Sequence, residues 1–147
     1  MADLKAFLAE NVIHDETFEF EVSRRFKDEN GEPLKWTIKP LTYEEDERIA
    51  KKYYKVFKNP TSGMKMRDLD RQAYSLATTA ACIVEPDLND AALQDSWLKD
   101  GQLRNAANTL KAMLYSGELS ALMSEIGRIG GGTDGVITEE DLEDAKN

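Results

Sequence analysis

The chain has 147 residues, of which 41% are hydrophobic and 32% charged, and its formal net charge is −9 with a pI near 4.7. A chain of this length fits one domain with a real core, and its acidity argues against nucleic acid or an anionic membrane as partner, because both need a basic surface. A single cysteine suits a reducing cytosol, the N-terminus lacks a secretion signal, and no apolar run reaches the roughly 18 to 20 residues of a membrane span.

The first sixteen residues predict a short amphipathic segment. Leu4, Phe7 and Leu8 recur at helical spacing after Asp3, a candidate cap. A helix of this length is marginal in isolation, so the segment either packs on the domain or binds a partner. His14 follows, and a lone histidine beside acidic residues is expected to be a solvated surface residue.

An antiparallel hairpin is predicted over residues 17–41. Apolar residues occupy every second position from Phe18 to Val22 and from Leu34 to Ile38. A three-residue loop, Glu29–Gly31, with its glycine in the left-handed position keeps the apolar residues on one face, whereas a two-residue turn at Asn30-Gly31 does not. The preferred register pairs Val22 with Ile38, Glu21 with Lys39, Arg24 with Trp36 and Phe26 with Leu34.

A helix is predicted from Thr42 to Lys58. Thr42 and Glu45 have capping-box spacing, and acidic residues in the first turn and lysines further on match the helix dipole. We interpret the charges as a solvated face and not as an acidic site. The predicted apolar face comprises Ile49, Tyr53, Val56 and Phe57.

The stretch from Leu69 to Pro86 predicts a central helix. The opposite side carries mostly small side chains, so the helix should be contacted on more than one side, and Pro86 should end it. At about 100° per residue, one arc holds Leu69, Ala73, Leu76, Ala77, Ala80, Ile83 and Val84.

Three shorter helical segments follow. Trp97 lies near the end of the first and is either core or an interface anchor, with core favoured. Beyond Gly101, apolar stripes run from Leu103 to Leu114 and from Leu119 to Ile126. Met113 belongs to a set of methionines that could form an adaptable binding surface but more often fill gaps in a core.

Glycines at positions 127 and 130–132 end the predicted compact part. We therefore expect one α+β domain over residues 1–129, mostly helical with its hairpin packed on a helical bundle, and a glycine-rich linker with a mobile acidic tail over 130–147. The tail resembles the second half of an EF-hand loop, but Gly130 and Gly132 occupy the first two ligand positions and supply no side-chain oxygen.

No catalytic, metal or cofactor site is predicted. The glycine cluster follows a helix and lacks the lysine of a phosphate-binding loop. Nucleophilic catalysis would need Cys82 or a serine beside His14, and Cys82 lies far along the chain in a predicted helix. The acidic pairs lie in first helical turns, where capping already explains them.

Four segments carry a resemblance to a known family: RRFKDENGEPLKW, KPLTYEEDERI, AACIVEPDLNDAALQDSW and LKAMLYSGELSALM. In this order, over about residues 1–126, the chain resembles the XkdN-type tail assembly chaperones of long-tailed phages and prophages of Gram-positive bacteria. The glycine-rich linker is not part of the pattern, and none of the four segments is a catalytic signature.

The resemblance implies a non-enzymatic assembly factor. Such proteins bind the long, largely helical tape measure protein in the host cytoplasm, keep it soluble, help tail-tube subunits polymerise around it and are absent from the finished virion. The tail-tube protein and further copies of the chain are additional candidate partners. The alternatives are a structural virion or head-tail connector protein and a calcium-responsive adaptor that uses the tail. The candidate partner-binding residues are Leu4, Phe7, Leu8, Trp97 and Met113.

Overall fold

Three antiparallel strands form the main sheet in the computed structural model, which describes residues 3–132. The strands in chain order are β1 (Phe18–Phe20), β2 (Trp36–Ile38), β3 (Tyr54–Lys58), β4 (Lys65–Leu69) and β5 (Ile83–Glu85). The main sheet has the order β1-β2-β5, and β3 and β4 form a separate two-stranded sheet. The described residues therefore have the predicted α+β fold.

Five α-helices lie within residues 3–132: α1 (Tyr43–Ala50), α2 (Arg71–Ala81), α3 (Ala91–Trp97), α4 (Ala106–Met113) and α5 (Ser116–Ile129). Side chains cap four of them. The predicted capping box of Thr42 and Glu45 is confirmed at the start of α1. Asp70, Asp90 and Asn105 accept hydrogen bonds from backbone N–H groups in the first turns of α2, α3 and α4, which satisfies donors that a helix leaves unpaired.

The core lies between the main sheet and the helices. Ile38 on β2 is fully buried, as are Leu110 on α4 and Leu122 on α5. Phe18 and Phe20 of β1 pack against the same cluster. The N-terminal hairpin therefore packs on the helices as predicted.

The predicted hairpin register holds at the turn and is wrong in the strands. The N–H of Leu34 donates to the carbonyl of Phe26 at 2.7 Å, and Gly31 has φ +81°, as the three-residue loop requires. Ile38, however, pairs with Phe18 and not with Val22. The other pairs predicted in the strands, Glu21 with Lys39 and Arg24 with Trp36, are absent from the ladder, in which Trp36 faces Phe20.

The register shifts because residues 21–25 leave the ladder, while one residue, Lys35, lies between the matching positions of the other strand. We call residues 21–25 the excursion. Its backbone buries Val22 and Ser23, which are 5% and 4% exposed.

The predicted helix over residues 42–58 is wrong in its second half. The helix α1 ends at Ala50, a 3-10 turn spans Lys51–Tyr53, and residues from Tyr54 onward form β3. The apolar residues of this stretch fit the helical period of 3.6, so the local pattern favours a helix. The pairing with β4, which lies across the turn, selects the strand.

The central helix is shorter than predicted at both ends. It begins at Arg71, because Leu69 belongs to β4 and Asp70 is the cap. It ends at Ala81 and not at Pro86, because the next residues pair with β2 as β5. The expectation of contact on more than one side is confirmed, since α2 contacts α1, α4 and α5.

Candidate protein-interaction surface

Exposed apolar side chains are concentrated in two segments. We call residues 3–13 the arm and residues 54–69, with β3 and β4, the outer hairpin. These two segments hold ten of the fifteen exposed large hydrophobic side chains of the described residues. The arm contributes Leu4, Phe7, Leu8, Val12 and Ile13, and the outer hairpin contributes Tyr54, Val56, Phe57, Met64 and Met66.

The arm forms two short 3-10 turns, Leu4–Phe7 and Ala9–Asn11, in place of one amphipathic helix. The predicted cap is present, since the carboxylate of Asp3 accepts a hydrogen bond from the N–H of Lys5 at 3.3 Å. Leu4 and Phe7 are 72% and 70% exposed. The arm therefore presents its apolar side chains to solvent, where a partner could cover them.

All residues of β3 are exposed, and so are all residues of β4 except the last, Leu69. Val56 faces Arg67 and Lys58 faces Lys65 across the ladder, and directly opposed residues share one face of an antiparallel pair. The guanidinium of Arg67 lies 4.6 Å from the ring centroid of Tyr54 on that face. The opposite face carries the paired Phe57 and Met66.

The outer hairpin and the turn before it are strongly basic. Residues 51–67 contain six lysine and arginine residues and neither aspartate nor glutamate, in a chain whose net charge is −9. Lys58 and Lys65 stand directly opposite each other, and like charges in that position destabilise a strand pair. Most of these lysines belong to the stretch predicted as a helix, so their position on one hairpin was not predicted.

An ion pair holds the base of the outer hairpin, and a second polar contact lies beside it, between α2 and α1. The ammonium of Lys55 lies 3.0 Å from the carboxylate of Asp70, the cap of α2, and this hydrogen bond lowers the pKa of Asp70. Beside the hairpin an open groove of about 590 Å³ separates it from α1. In that groove the hydroxyl of Tyr74 donates to the carboxylate of Asp46, which raises the pKa of Tyr74 to about 12.

Trp97 and Met113 do not belong to this exposed surface. Met113 is 3% exposed and lies in the core cluster, and its predicted role in partner binding stays a prediction. Trp97 is half-buried against the core, with its ring edge-on to Phe26 at a centroid distance of 6.1 Å. Core packing, the alternative favoured from the sequence, describes both side chains.

A cluster around Arg25 was not predicted. Its guanidinium lies 2.5 Å from the carboxylate of Glu118 and donates to the carbonyl of Met113 at 2.7 Å. It also stacks on the ring of Tyr115, 3.9 Å from the centroid. The hydrogen bond from Arg25 lowers the pKa of Glu118 to about 2. Nothing local in the sequence signals this contact, because the two charged residues are 93 positions apart.

The described residues contain no group of three or more histidine, cysteine or acidic side chains that could hold a metal ion. Burial raises the pKa of the Cys82 thiol to about 11, and this residue is 2% exposed. His14 is exposed. Among the helices of residues 3–132, none is long and apolar enough to cross a membrane. The tail after residue 132, with its EF-hand-like sequence, lies outside the described residues.

Known proteins resemble this chain in both sequence and fold. The model of the phage XkdN-like tail assembly chaperone family matches residues 4–146. The phage-like element PBSX protein XkdN of Bacillus subtilis strain 168 is 27% identical over 146 residues, which cover 99% of this chain and 94% of that protein. A crystal structure of the protein YqbN shares the fold with a TM-score of 0.68 and 21% identity, covering 89% of this chain and 98% of that one. Because the family model spans nearly the whole sequence, the chain belongs to the XkdN-like family of phage tail assembly chaperones.

Proposed function

We propose that this chaperone binds the tape measure protein, keeps it soluble in the bacterial cytoplasm and aids assembly of the tail tube around it. It is then released and is absent from the mature virion. The proposal takes the chaperone role from the family. The observation that carries the binding role is the pair of exposed apolar segments, the arm and the outer hairpin.

The two segments have the properties of a surface that binds an unfolded or helical polypeptide. Apolar side chains that remain exposed in one region commonly mark an interaction site, and an amphipathic client helix buries its apolar stripe against such a surface. Met64 and Met66, which are 68% and 43% exposed, have flexible side chains that adapt to clients of varied sequence. The two edges of the outer hairpin also offer backbone groups to an extended client.

Three single substitutions test the surface under matched conditions. Phe7→Asp changes the arm, Val56→Asp changes the outer hairpin, and Leu103→Asp changes the loop before α4 as a control. The three native side chains are 70%, 66% and 71% exposed, so each variant adds one charge at an equally accessible site. Each variant is co-expressed with the tape measure protein encoded in the same operon, and the soluble and co-purified tape measure protein is quantified.

We expect Phe7→Asp and Val56→Asp each to lower co-purification about tenfold, the effect of losing one interface contact worth about 1.4 kcal/mol. Leu103→Asp should retain binding. Equal binding by all three variants, with circular dichroism showing that all are folded, would exclude both segments as the client surface.

Mass spectrometry of purified particles separates the chaperone from a structural virion protein. A chaperone that leaves before completion is missing from the particles, whereas a head-tail connector is present in a fixed ratio to other tail proteins. Detection at such a ratio would contradict the proposal.

A further inference from the structure

We propose that the C-terminal segment of this same chain, residues 133–147, docks on the outer hairpin and places its carboxylates against the lysines of that hairpin. This intramolecular contact goes beyond client binding and needs no client, although it covers Val56 of the proposed client surface.

The outer hairpin carries cations that lack an anionic counterpart on the facing strand. Lys58 and Lys65 form a directly opposed pair at the end of the ladder, and Arg67 lies two residues further along on the same face. Each is exposed, as is Val56, which stands directly opposite Arg67. A nearby anion would relieve the repulsion between the two lysines, because an opposite charge stabilises both ammonium groups.

The segment 133–147 has the complementary composition. It contains six acidic residues and one lysine, a net charge of −5. Leu142 stands between Asp141 and Glu143, so the segment offers an apolar side chain among carboxylates, just as the hairpin offers Val56 among cations. This match of charge and apolar positions favours the hairpin over the remaining, mostly acidic surface.

The described part of the chain ends close enough to the outer hairpin for residues 133–147 to reach it. Gly130 and Gly132 lie beside Pro40 and Asp46, near the start of α1. Asp46 also lines the groove that Tyr54 and Arg67 of the hairpin close on the other side. The eight residues of α1 span about 12 Å, and the five residues of β3 add about 17 Å. Fifteen extended residues reach up to about 50 Å, so the length suffices.

Glu45 and Asp46 of α1 are less suitable occupants, because both already accept hydrogen bonds. Glu45 accepts from the backbone and hydroxyl of Thr42 in the capping box, and Asp46 accepts from Tyr74. Both are also fixed on a rigid helix.

Paramagnetic broadening in the full chain tests the contact. A nitroxide is attached at Ala145→Cys, since the native Cys82 is buried, and the backbone amide signals of Val56, Phe57 and Lys65 are followed. We expect these signals to be lost with the oxidised label and restored when the label is reduced. In about 1 M NaCl, where the screening length falls to about 3 Å, the broadening should disappear.

Charge-reversed variants identify the contacting groups. Lys58→Glu with Lys65→Glu should abolish the broadening, whereas the control pair Lys27→Glu with Lys35→Glu changes the net charge equally at exposed lysines elsewhere and should preserve it. Glu139→Gln with Glu140→Gln and Asp141→Asn should abolish it too, without altering the hairpin. The proposal would be overturned if the hairpin signals stay sharp in the nitroxide-labelled chain that has no charge change. It would also be overturned if the broadening survives both the Lys58/Lys65 reversal and the tail neutralisation.

A mixed sample separates docking within one molecule from docking between two. Isotope-labelled chains without nitroxide are combined with unlabelled chains that carry it. We expect the hairpin signals of the labelled chains to stay sharp. Broadening in the mixture as strong as in the singly prepared sample would assign the contact to a second copy and contradict intramolecular docking.

Discussion

At the scale of single residues, Arg25 joins the N-terminal hairpin to the last helix. It extends from the excursion and bonds to Glu118 in the first turn of α5 and to the carbonyl of Met113. Glu118 is also held by the backbone N–H of Tyr115 at 2.8 Å. The carboxylate is thus stabilised in its charged form in the folded chain and loses these donors on unfolding.

Glu118→Gln is expected to lower the free energy of unfolding by about 1 to 2 kcal/mol at neutral pH, the scale of a charge-assisted hydrogen bond that is partly exposed. The folded-state pKa of Glu118 is about 2 and its ordinary value is 4.5. The stabilisation is therefore complete above pH 4.5 and declines as the pH falls from there toward 2. Urea unfolding at about pH 7 and about pH 3 should give a larger difference between variant and native chain at the higher pH.

Asp95→Asn is the control for this experiment. The carboxylate of Asp95 lies 3.5 Å from the guanidinium of Arg104 but is 72% exposed, and exposed pairs contribute little. Its effect should stay within about 0.5 kcal/mol at both pH values. A Glu118→Gln effect as small as that, or one that grows toward acid, would contradict the assignment.

At the scale of elements, replacing two glycines that have equal space around them with alanine should change the stability of the chain in opposite directions. A Cβ at Gly31 or Gly117 would meet no heavy atom within 4 Å. Gly31, however, has φ +81° in the hairpin turn, whereas Gly117 lies in the first turn of α5. Gly31→Ala should destabilise the chain by about 1 to 2 kcal/mol through backbone strain, and Gly117→Ala should stabilise it by up to about 1 kcal/mol. Thermal unfolding of both variants measures the sign, and equal signs would contradict this account.

The elements that local chemistry controls were predictable from the sequence. The capping box at Thr42 and the three-residue loop ending at Gly31 each depend on residues within four positions, and both are confirmed. The strand β3 was not predictable, because its apolar spacing fits a helix and only the pairing with β4 overrides that local pattern. The excursion was not predictable either, because it is stabilised by the burial of Val22 and by contact with Glu118, which is distant in the sequence.

The candidate surface was predictable in part. The apolar residues of the arm are exposed, as a partner-binding segment requires, and their role in binding stays a prediction. The outer hairpin was not predicted, because its lysines are typical of the C-terminal turns of a helix. The burial of Met113 was not predictable, because an apolar residue in a helical stripe does not indicate whether its face contacts the core or a partner.

At the scale of the whole molecule, the core and the outer hairpin should unfold separately. The core cluster joins β2 with α4 and α5 around fully buried side chains, while the outer hairpin has five exposed positions in β3 and four in β4. Segments with few buried contacts open locally at low free energy, and core elements open only with the whole domain.

Leu122→Ala tests this division. Leu122 is fully buried, so its truncation should lower the global free energy of unfolding by about 2 to 5 kcal/mol. Native-state hydrogen exchange should show the loss at amides of α4 and α5 and little change at amides of β3 and β4. Val56→Ala serves as the converse control, affecting only the outer hairpin. Equal loss of protection in both regions after Leu122→Ala would show one cooperative unit.

The contact between Arg25 and Glu118 also bears on how the chain emerges from the ribosome. At about 5 to 20 residues per second, translation takes roughly 5 to 20 s to advance the 93 positions from Arg25 to Glu118. Until then Trp36 and Ile38, which end up 3% and 0% exposed, lack the helices that cover them. We therefore expect the nascent chain to need shielding by ribosome-associated folding factors until α5 has been synthesised.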